Sequence, residues 1–293
     1  MKKITTILLL LISVFSYGQT AKEIYLAGAS LYRDGNYEEA IQKYNAAINL
    51  EADNADYYYD RGLAHFSLRD YAKAKTDFEM SLKLMPKMYD AHYNLGLCLY
   101  NTGKYEEAIG EFNKTAELKA DYVNAYVYRG ASKYSLSKDD EALADLNLAL
   151  ALDANSARAY YFRGLVKYAK ANDEGAKEDY TKAIELKPSY DAYYGRGNTK
   201  YMLKDYEGAK SDYTMSIALK NDYASAYMER GMCNYMLAKD DDAISDFNKA
   251  IELKSDLGKA YYYRGQCKNY KGDKTGSAAD VKKSEQLGFV PKK

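Results

Sequence analysis

The sequence is poor in the residues that metal sites, nucleophilic catalysis and rigid turns require. Its 293 residues include no tryptophan, two histidines, three cysteines and three prolines. Two histidines and three cysteines offer little material for a metal cage or for a nucleophile with its base. The 42 basic and 42 acidic residues leave no positive surplus, which removes the electrostatic argument for a nucleic-acid partner. Tyrosine is abundant instead, with 34 residues beside 7 phenylalanines.

The first residues have the pattern of a signal peptide. Lys2 and Lys3 precede an apolar run, Ile7–Phe15, and two small residues follow that run two positions apart. The run is too short to cross a bilayer of ~30 Å as a helix, so an N-terminal anchor or a buried helix is the less favoured interpretation. We predict a signal peptide over residues 1–18, a mature chain that starts at Gln19, and export to the periplasm, the cell envelope or the medium. No later segment approaches ~20 apolar residues, so no transmembrane segment is expected after cleavage.

One unit of 34 residues is repeated through the rest of the chain. A glycine recurs every 34 residues, with a single step of 33 between Gly164 and Gly197, and a leucine follows each glycine after 22 residues. These marker glycines are Gly28, Gly62, Gly96, Gly130, Gly164, Gly197, Gly231 and Gly265. They divide the chain into eight repeats of approximate bounds 21–54, 55–88, 89–122, 123–156, 157–189, 190–223, 224–257 and 258–291.

Each repeat is predicted to contain two helices. In the second repeat, Tyr58, Gly62 and His65 recur at helical spacing, and Ala74 and Phe78 do so again after a break. Glycine and alanine facing each other let two helix backbones approach closely, and a large ring from the second helix fills the adjoining gap. The residues therefore predict an all-α fold.

The pattern of the repeats resembles the tetratricopeptide repeat family. In the second repeat it reads Tyr58, Gly62, Tyr71, Ala74, Phe78, Ser81 and Pro86. The family's proline near the end of each repeat is kept only at Pro86 and Pro188. The resemblance implies a right-handed superhelical α-solenoid of about eight helix-turn-helix repeats over residues 19–293. It also implies that the first helices line a concave groove.

Six repeats have an arginine directly before the marker glycine and an aspartate 16 residues after that arginine. The pairs are Arg61 with Asp77, Arg129 with Asp145, Arg163 with Asp179, Arg196 with Asp212, Arg230 with Asp246, and Arg264 with Asp280. We predict bidentate bridges that join the two helices of a repeat, so that exchanging Arg163 and Asp179 should restore stability. An anion-binding row of arginines is the alternative. In the third repeat Leu95 replaces the arginine, so its acid, Glu111, is expected to stand alone.

The few chemically reactive residues occupy packing positions. Cys98, Cys233 and Cys267 share one position of the repeat, where other repeats have small residues, so we expect them to be buried and unpaired. His65 and His92 occupy positions that hold core residues elsewhere. We predict no catalytic residues, no metal site and no cofactor, and hence no enzyme.

The tyrosines form two rows along the first helices. One row lies four residues before the marker glycines and should belong to the core. The second row, which we call the ring stripe, should face the concave groove by the family's geometry. Its members are Tyr59, Leu63, Phe66, Tyr93, Leu97, Tyr100, Tyr134, Tyr161, Leu165, Tyr168, Tyr194, Tyr201, Met228 and Tyr235. The alternative is that these rings pack on one another across repeats.

The sequence therefore predicts a non-catalytic scaffold that binds a peptide segment or a helix of another protein. Tyrosine suits such a surface because it combines a large apolar area with a polar tip and low rotamer entropy. The alternative is a small-ligand or glycan receptor of the cell envelope, for which a closed pocket with convergent polar groups is expected. The sequence makes no prediction about the oligomeric state.

Overall fold

The computed structural model describes residues 19–291. The chain divides into two compact units, Met1–Leu136 and Ser137–Lys293. The predicted signal peptide, residues 1–18, lies outside the described residues. Within residues 19–291 no helix is long and apolar enough to cross a membrane.

Every regular element of the described chain is a helix. Unit 1 contains α1 (Ala21–Arg33), α2 (Tyr37–Leu50), α3 (Ala55–Ser67), α4 (Tyr71–Leu84), α5 (Tyr89–Asn101), α6 (Tyr105–Leu118) and α7 (Val123–Ser135). Unit 2 contains α8 (Asp139–Leu152), α9 (Ala157–Ala169), α10 (Asp173–Leu186), α11 (Tyr190–Met202), α12 (Tyr206–Leu219), α13 (Ala224–Met236), α14 (Asp240–Leu253), α15 (Gly258–Tyr270) and α16 (Lys274–Gln286). The prediction of an all-α fold of about eight helix-turn-helix repeats is confirmed.

Within each unit, a first helix packs against the second helix of its own repeat and against the second helix of the preceding repeat. The boundary between the units falls in the turn between α7 and α8, so the fourth repeat contributes one helix to each unit. The other seven repeats each have both helices in one unit, with odd-numbered first helices and even-numbered second helices.

The turn inside each repeat contains one residue in the left-handed region. Glycine occupies it in three repeats, at Gly35, Gly103 and Gly272. The others use Arg69, Ser137, Ala171, Lys204 and Ala238, with φ between 54° and 64°. A left-handed residue just beyond a helix is a common way to satisfy its last carbonyl groups and reverse the chain. The repeated turn therefore fixes the hairpin even where the sequence has no glycine.

Six marker glycines lie directly against a large ring of the paired helix. A Cβ at Gly96 would stand 2.6 Å from Cε1 of Phe112, and a Cβ at Gly197 would stand 2.7 Å from Cε1 of Tyr213. Similar contacts with a ring of the second helix occur at Gly28, Gly62, Gly164 and Gly231. Phe112 is completely buried, so its ring has little freedom to move away. The predicted packing of glycine against a large ring is what the structure shows in these six repeats.

Candidate partner-binding face

The structure brings together five of the six predicted arginine–aspartate pairs. In each of the five, Nη2 of the arginine lies 2.5–2.7 Å from Oδ1 of the aspartate 16 residues later. Nε of the same arginine donates a second hydrogen bond, at 2.8–3.1 Å, to the same carboxylate. The pairs are therefore bidentate. The sixth pair, Arg129 with Asp145, has its members in different units and stays a prediction.

Each of these arginines also contacts the preceding repeat, which the sequence analysis did not predict. Nη1 of Arg61 donates to Oδ1 of Asn45 at 2.6 Å, and Nη1 of Arg163 donates to Oδ1 of Asn147 at 2.8 Å. Nη1 of Arg264 likewise donates to Oδ1 of Asn248 at 2.7 Å. One guanidinium thus joins three helices from two repeats. Because it is occupied by protein acceptors, the arginine row stabilises the stack and is not arranged as an anion site.

A second cation reaches three of the buried aspartates. Lys167, Lys200 and Lys268 stand four residues after the arginines of their repeats, and each Nζ lies 2.8 Å from Oδ2 of the paired aspartate. Burial alone would raise the pKa of Asp280, but the hydrogen bonds from Arg264 and Lys268 hold it below its usual value. The exchange of Arg163 and Asp179 is therefore not a clean test of pairing, because an arginine at 179 would face Lys167.

The acid of the third repeat does not stand alone, contrary to the sequence analysis. Oε2 of Glu111 lies 2.6 Å from Nδ1 of His92, and Lys114 donates to Oε1 at 2.9 Å. The other ring nitrogen of His92 lies 3.1 Å from the carbonyl oxygen of Pro86. Burial opposes ionisation of Glu111, but the hydrogen bonds from His92 and Lys114 keep its pKa below the usual value. His92 and Lys114 thus supply the partners that Leu95 cannot provide.

The three cysteines are buried and free. Burial raises the pKa of each thiol to about 12, which leaves almost no thiolate at neutral pH. Within residues 19–291 there is also no group of three or more His, Cys, Asp or Glu residues that could hold a metal ion. The raised pKa values mean that these thiols are not activated as nucleophiles.

The ring stripe is partly exposed and partly packed against other aromatic rings. Twelve of its fourteen members are half-buried, and the other two, Tyr93 and Leu97, are buried at 8% and 9% exposure. In unit 1 the rings of Tyr100 and Tyr128 are 5.6 Å apart between centroids. In unit 2 the rings of Tyr235 and Tyr263 are 5.2 Å apart. These stripe rings thus contact a tyrosine of the next repeat and keep part of their surface accessible, while their position in a concave groove stays a prediction.

Some tyrosine hydroxyls of this face are held by neighbouring polar groups. The hydroxyl of Tyr25 donates to Oδ2 of Asp60 at 2.8 Å, and Nδ2 of Asn94 donates to the hydroxyl of Tyr59 at 3.0 Å. Burial raises the pKa of Tyr100 and of Tyr201 to about 12, so both phenols stay protonated near neutral pH. The face therefore presents neutral rings rather than phenolate charge.

Unit 2 has a second exposed apolar row that the sequence analysis missed. Met202, Met236 and Tyr270 are the last residues of α11, α13 and α15, and they are 56%, 45% and 66% exposed. We call them the end row. Each stands five residues after its marker glycine, where the first four repeats have Arg33, Ser67, Asn101 and Ser135. A comparison of this single position along the repeats would have revealed the change from polar to apolar.

The end row adjoins the ring stripe. The rings of Tyr235 and Tyr270 have centroids 6.4 Å apart. These two residues line a cavity of about 450 Å³ together with Met236, Ala238 and Asp240. The aromatic and thioether side chains thus form one accessible apolar surface at this end of the first helices.

A further cavity of about 580 Å³ lies in unit 2 at the junction of the fifth and sixth repeats. Its walls come from the start of α9, the end of α10 and the start of α11. The lining residues are Asn155, Ser156, Ala157, Arg158, Tyr161, Phe162, Ala183, Leu186, Lys187, Ser189 and Asp191. Burial raises the pKa of Asp191, although Tyr190 and Lys220 act in the opposite direction.

Comparisons with known proteins agree with this architecture. One family model described as TPR repeat matches residues 28–68, and two described as tetratricopeptide repeat match residues 59–123 and 157–190. A comparison with curated proteins found no match.

Solved structures provide further similarities. YrrB, described as a TPR protein with an unusual peptide-binding site, is 25% identical over 60% of this chain and 91% of its own, with a TM-score of 0.55. A tetratricopeptide repeat protein from Parabacteroides merdae ATCC 43184 is 22% identical over 80% of this chain and 93% of its own, with a TM-score of 0.58. The APC/C hetero-tetramer Cut9-Hcn1 is 17% identical over 87% of this chain and 50% of that chain, with a TM-score of 0.73. The last two show likeness of fold alone. The chain belongs to the tetratricopeptide repeat family, whose members are protein-interaction scaffolds.

Proposed function

We propose that the protein is a non-catalytic scaffold that binds an extended segment or a helix of another protein on its first helices. The observation that carries this proposal is the end row, because three large apolar side chains lie exposed beside the ring stripe of unit 2. Exposed apolar surface of this kind is uncommon on soluble proteins unless a partner covers it.

The chemistry of this face suits recognition of a peptide. Tyrosine offers ring area and a hydrogen-bonding tip at low entropic cost, and methionine adapts its shape to a partner. The similarity to YrrB, which is described as having an unusual peptide-binding site, supports the same class of partner. The partner would contribute apolar anchor residues, since those give most of the binding energy in such interfaces.

Replacing the end row with glutamate should abolish binding while leaving the fold intact. The variant M202E/M236E/Y270E places three charges where an apolar segment would dock, and exposed positions tolerate substitution within about ±0.5 kcal/mol. In capture experiments from a cell-envelope fraction, the wild type should retain a protein that this variant loses.

The matched control is L148E/M215E, which changes exposed apolar residues of second helices that are 42% and 43% exposed. This control should retain the same partner as the wild type. Equal capture by the wild type and the end-row variant would contradict the proposal. Retention of polysaccharide instead of protein would favour a glycan receptor.

We also propose that the scaffold acts outside the cytoplasm. The support is the basic, apolar and small-residue pattern of residues 1–18. Expression of the full chain with a C-terminal tag should yield a product whose first residue is Gln19, as determined by N-terminal sequencing. The variant I7K/L9K interrupts the apolar run and should yield the uncleaved chain in the cytoplasm. A product that starts at Met1 in the wild type would contradict this proposal.

A further inference from the structure

Two repeats, one in each unit, contain the same cluster of tyrosines and lysine. In the third repeat the rings of Tyr89 and Tyr122 are 5.7 Å apart, and Nζ of Lys119 lies 4.7 Å and 5.5 Å from their centroids. In the sixth repeat the rings of Tyr190 and Tyr223 are 5.4 Å apart, and Nζ of Lys220 lies 4.7 Å and 5.6 Å from their centroids. The agreement to within 0.3 Å shows that this position of the repeat accommodates two rings beneath a lysine.

A stripe tyrosine completes each cluster. The rings of Tyr93 and Tyr122 are 5.0 Å apart, as are the rings of Tyr194 and Tyr223. The arrangement is therefore a defined packing site, in which two added rings lie under an ammonium group and one of them also lies against a stripe ring. We call it the tyrosine–lysine cluster.

The fifth repeat keeps the frame of this cluster but lacks its two added rings. Tyr161 occupies the position of Tyr93, and Lys187 occupies the position of Lys119, as counted from the marker glycines. The step from Gly164 to Gly197 is one residue shorter, so the two remaining positions are matched by their place at the helix starts. Ala157 begins its helix as Tyr89 does, and Ser189 directly precedes the next first helix as Tyr122 does, so neither position holds a ring in the fifth repeat. All four of these fifth-repeat residues line the cavity of about 580 Å³. The cavity thus lies where the other two repeats place their own rings.

We propose that this cavity receives an aromatic side chain of the partner, which takes the place of the missing tyrosine rings. The inference rests on the proposed function and names the chemistry of the partner's anchor residue. In two of its own repeats the chain packs tyrosine rings between a stripe tyrosine and a lysine at this position. A cavity of this volume lies within the ~300–1,000 Å³ typical of ligand sites, and aromatic anchors in pockets dominate peptide interfaces.

The cavity's polar rim sets the orientation of the incoming ring. Arg158 and Asp191 are lining residues of opposite charge, and Ser156 and Ser189 add hydroxyl groups. A phenol can place its ring against Tyr161 and Leu186 while its hydroxyl reaches this rim. We therefore expect tyrosine to be preferred over a saturated side chain of the same size.

The test titrates p-cresol, which corresponds to the side chain of tyrosine, into the full mature protein. The protein is labelled at its alanine methyl groups, and their NMR resonances are followed. Ala183 lines the cavity and is 2% exposed, so its methyl resonance should shift saturably when a ring enters. 4-Methylcyclohexanol has the same size without a π-system. It should bind about 3-fold more weakly, because the cation–π contribution of Lys187 at a partly exposed site is about 0.5–1 kcal/mol.

Two variants make the test specific. A157Y restores the ring that the third and sixth repeats have at this position, so the Ala183 shift should disappear. A224Y adds a tyrosine at the same position of the seventh repeat, where Leu257 occupies the second ring position, and should bind p-cresol as the wild type does. No saturable shift in the wild type, an equal shift in A157Y, or equal binding of the saturated probe would overturn the inference.

These outcomes are separate from those of the end-row experiment. If p-cresol does not bind while M202E/M236E/Y270E loses the partner, the cavity inference fails and the proposed function stands. If p-cresol binds as expected while the end-row variant keeps every partner, the proposed function fails. The cavity would then still bind an aromatic ring, but that ring would not come from a partner protein.

Discussion

Replacing Gly96 with alanine is expected to lower the free energy of unfolding by about 2 kcal/mol. The new Cβ would stand 2.6 Å from Cε1 and 2.9 Å from Cδ1 of Phe112, a ring with 0% exposure. Overpacking of a rigid core typically costs about 1–3 kcal/mol, and the better helix propensity of alanine returns up to about 1 kcal/mol. Urea denaturation followed by circular dichroism should show the lower midpoint.

Two other glycines provide matched controls. Gly265 is the equivalent marker glycine of the last repeat, where Val281 replaces the ring and the closest atoms to a new Cβ are 3.2 Å away. Gly265→Ala should be close to neutral. Gly110 lies within α6 with nothing within 4 Å of a new Cβ, so Gly110→Ala should stabilise the protein by about 0.5–1 kcal/mol.

The contact with Phe112 can also be tested directly. The double variant Gly96→Ala/Phe112→Leu makes room for the methyl group and should lose less than the sum of the two single variants. Equal stabilisation by Gly96→Ala and Gly110→Ala would show that helix crossing does not require a glycine at this position.

The 34-residue period of the sequence predicts the helical repeat and the contact between its marker glycine and the ring of its second helix. Both can be predicted because they depend on residues at fixed spacing. Gly62 and Phe78 are in contact for the reason the sequence suggests, which is that only glycine leaves room for the ring. The left-handed turn residue was visible at Gly35 but not at Arg69 or Ala171, since those residues carry no signal for positive φ. The shared backbone geometry of the hairpin imposes that conformation on them.

Contacts between repeats were harder to predict than contacts within one. Arg61 was paired with Asp77 from spacing alone, but its bond to Asn45 joins a different repeat and depends on how the hairpins stack. The pairing of His92 with Glu111 was missed for a related reason. The histidine lies one turn before Leu95, so the spacing of the arginine–aspartate pairs does not indicate its contact with Glu111.

The accessibility of the ring stripe also depends on stacking. Tyr93 is buried because Tyr122 of its own repeat and Tyr128 of the next repeat both contact it, whereas Tyr201 stays half-buried beside Tyr206 of its own repeat. Spacing identifies which residues share a face of a helix, but the angle between neighbouring hairpins decides how much of each ring is covered. The end row is the opposite case, because its residues are exposed by their place at the ends of the first helices. Comparing this one position along the repeats is therefore enough to identify it.

Exchanging the charges of Arg61 and Asp77 should restore stability, whereas exchanging those of Arg163 and Asp179 should not. Either single reversal places two like charges at a nearly buried site, and loss of one member of such a pair costs about 3–5 kcal/mol. The exchange recreates an ion pair at both sites. The sites differ in the next neighbour, because Lys167 lies 2.8 Å from Oδ2 of Asp179 while His65 lies 3.9 Å from Oδ2 of Asp77.

The charge of the neighbouring side chain, His65 or Lys167, decides whether the exchange restores stability. Burial lowers the pKa of His65, so this ring is uncharged near neutral pH and tolerates an arginine at position 77. An arginine at position 179 would instead face the ammonium group of Lys167. Asn45 and Asn147 can each turn an amide N–H toward an aspartate that replaces the arginine, so the contact with the preceding repeat does not distinguish the two sites.

A third variant isolates the lysine. Adding Lys167→His to the exchanged pair at 163 and 179 recreates the neighbourhood of Arg61, and it should recover most of the lost stability in urea denaturation at neutral pH. On acidification His65 becomes protonated, so the exchanged pair at 61 and 77 should lose stability as the pH falls through the pKa of that histidine. Equal recovery by both exchanges without the third change would mean that Lys167 does not stabilise Asp179, and that the arginine alone joins the helices.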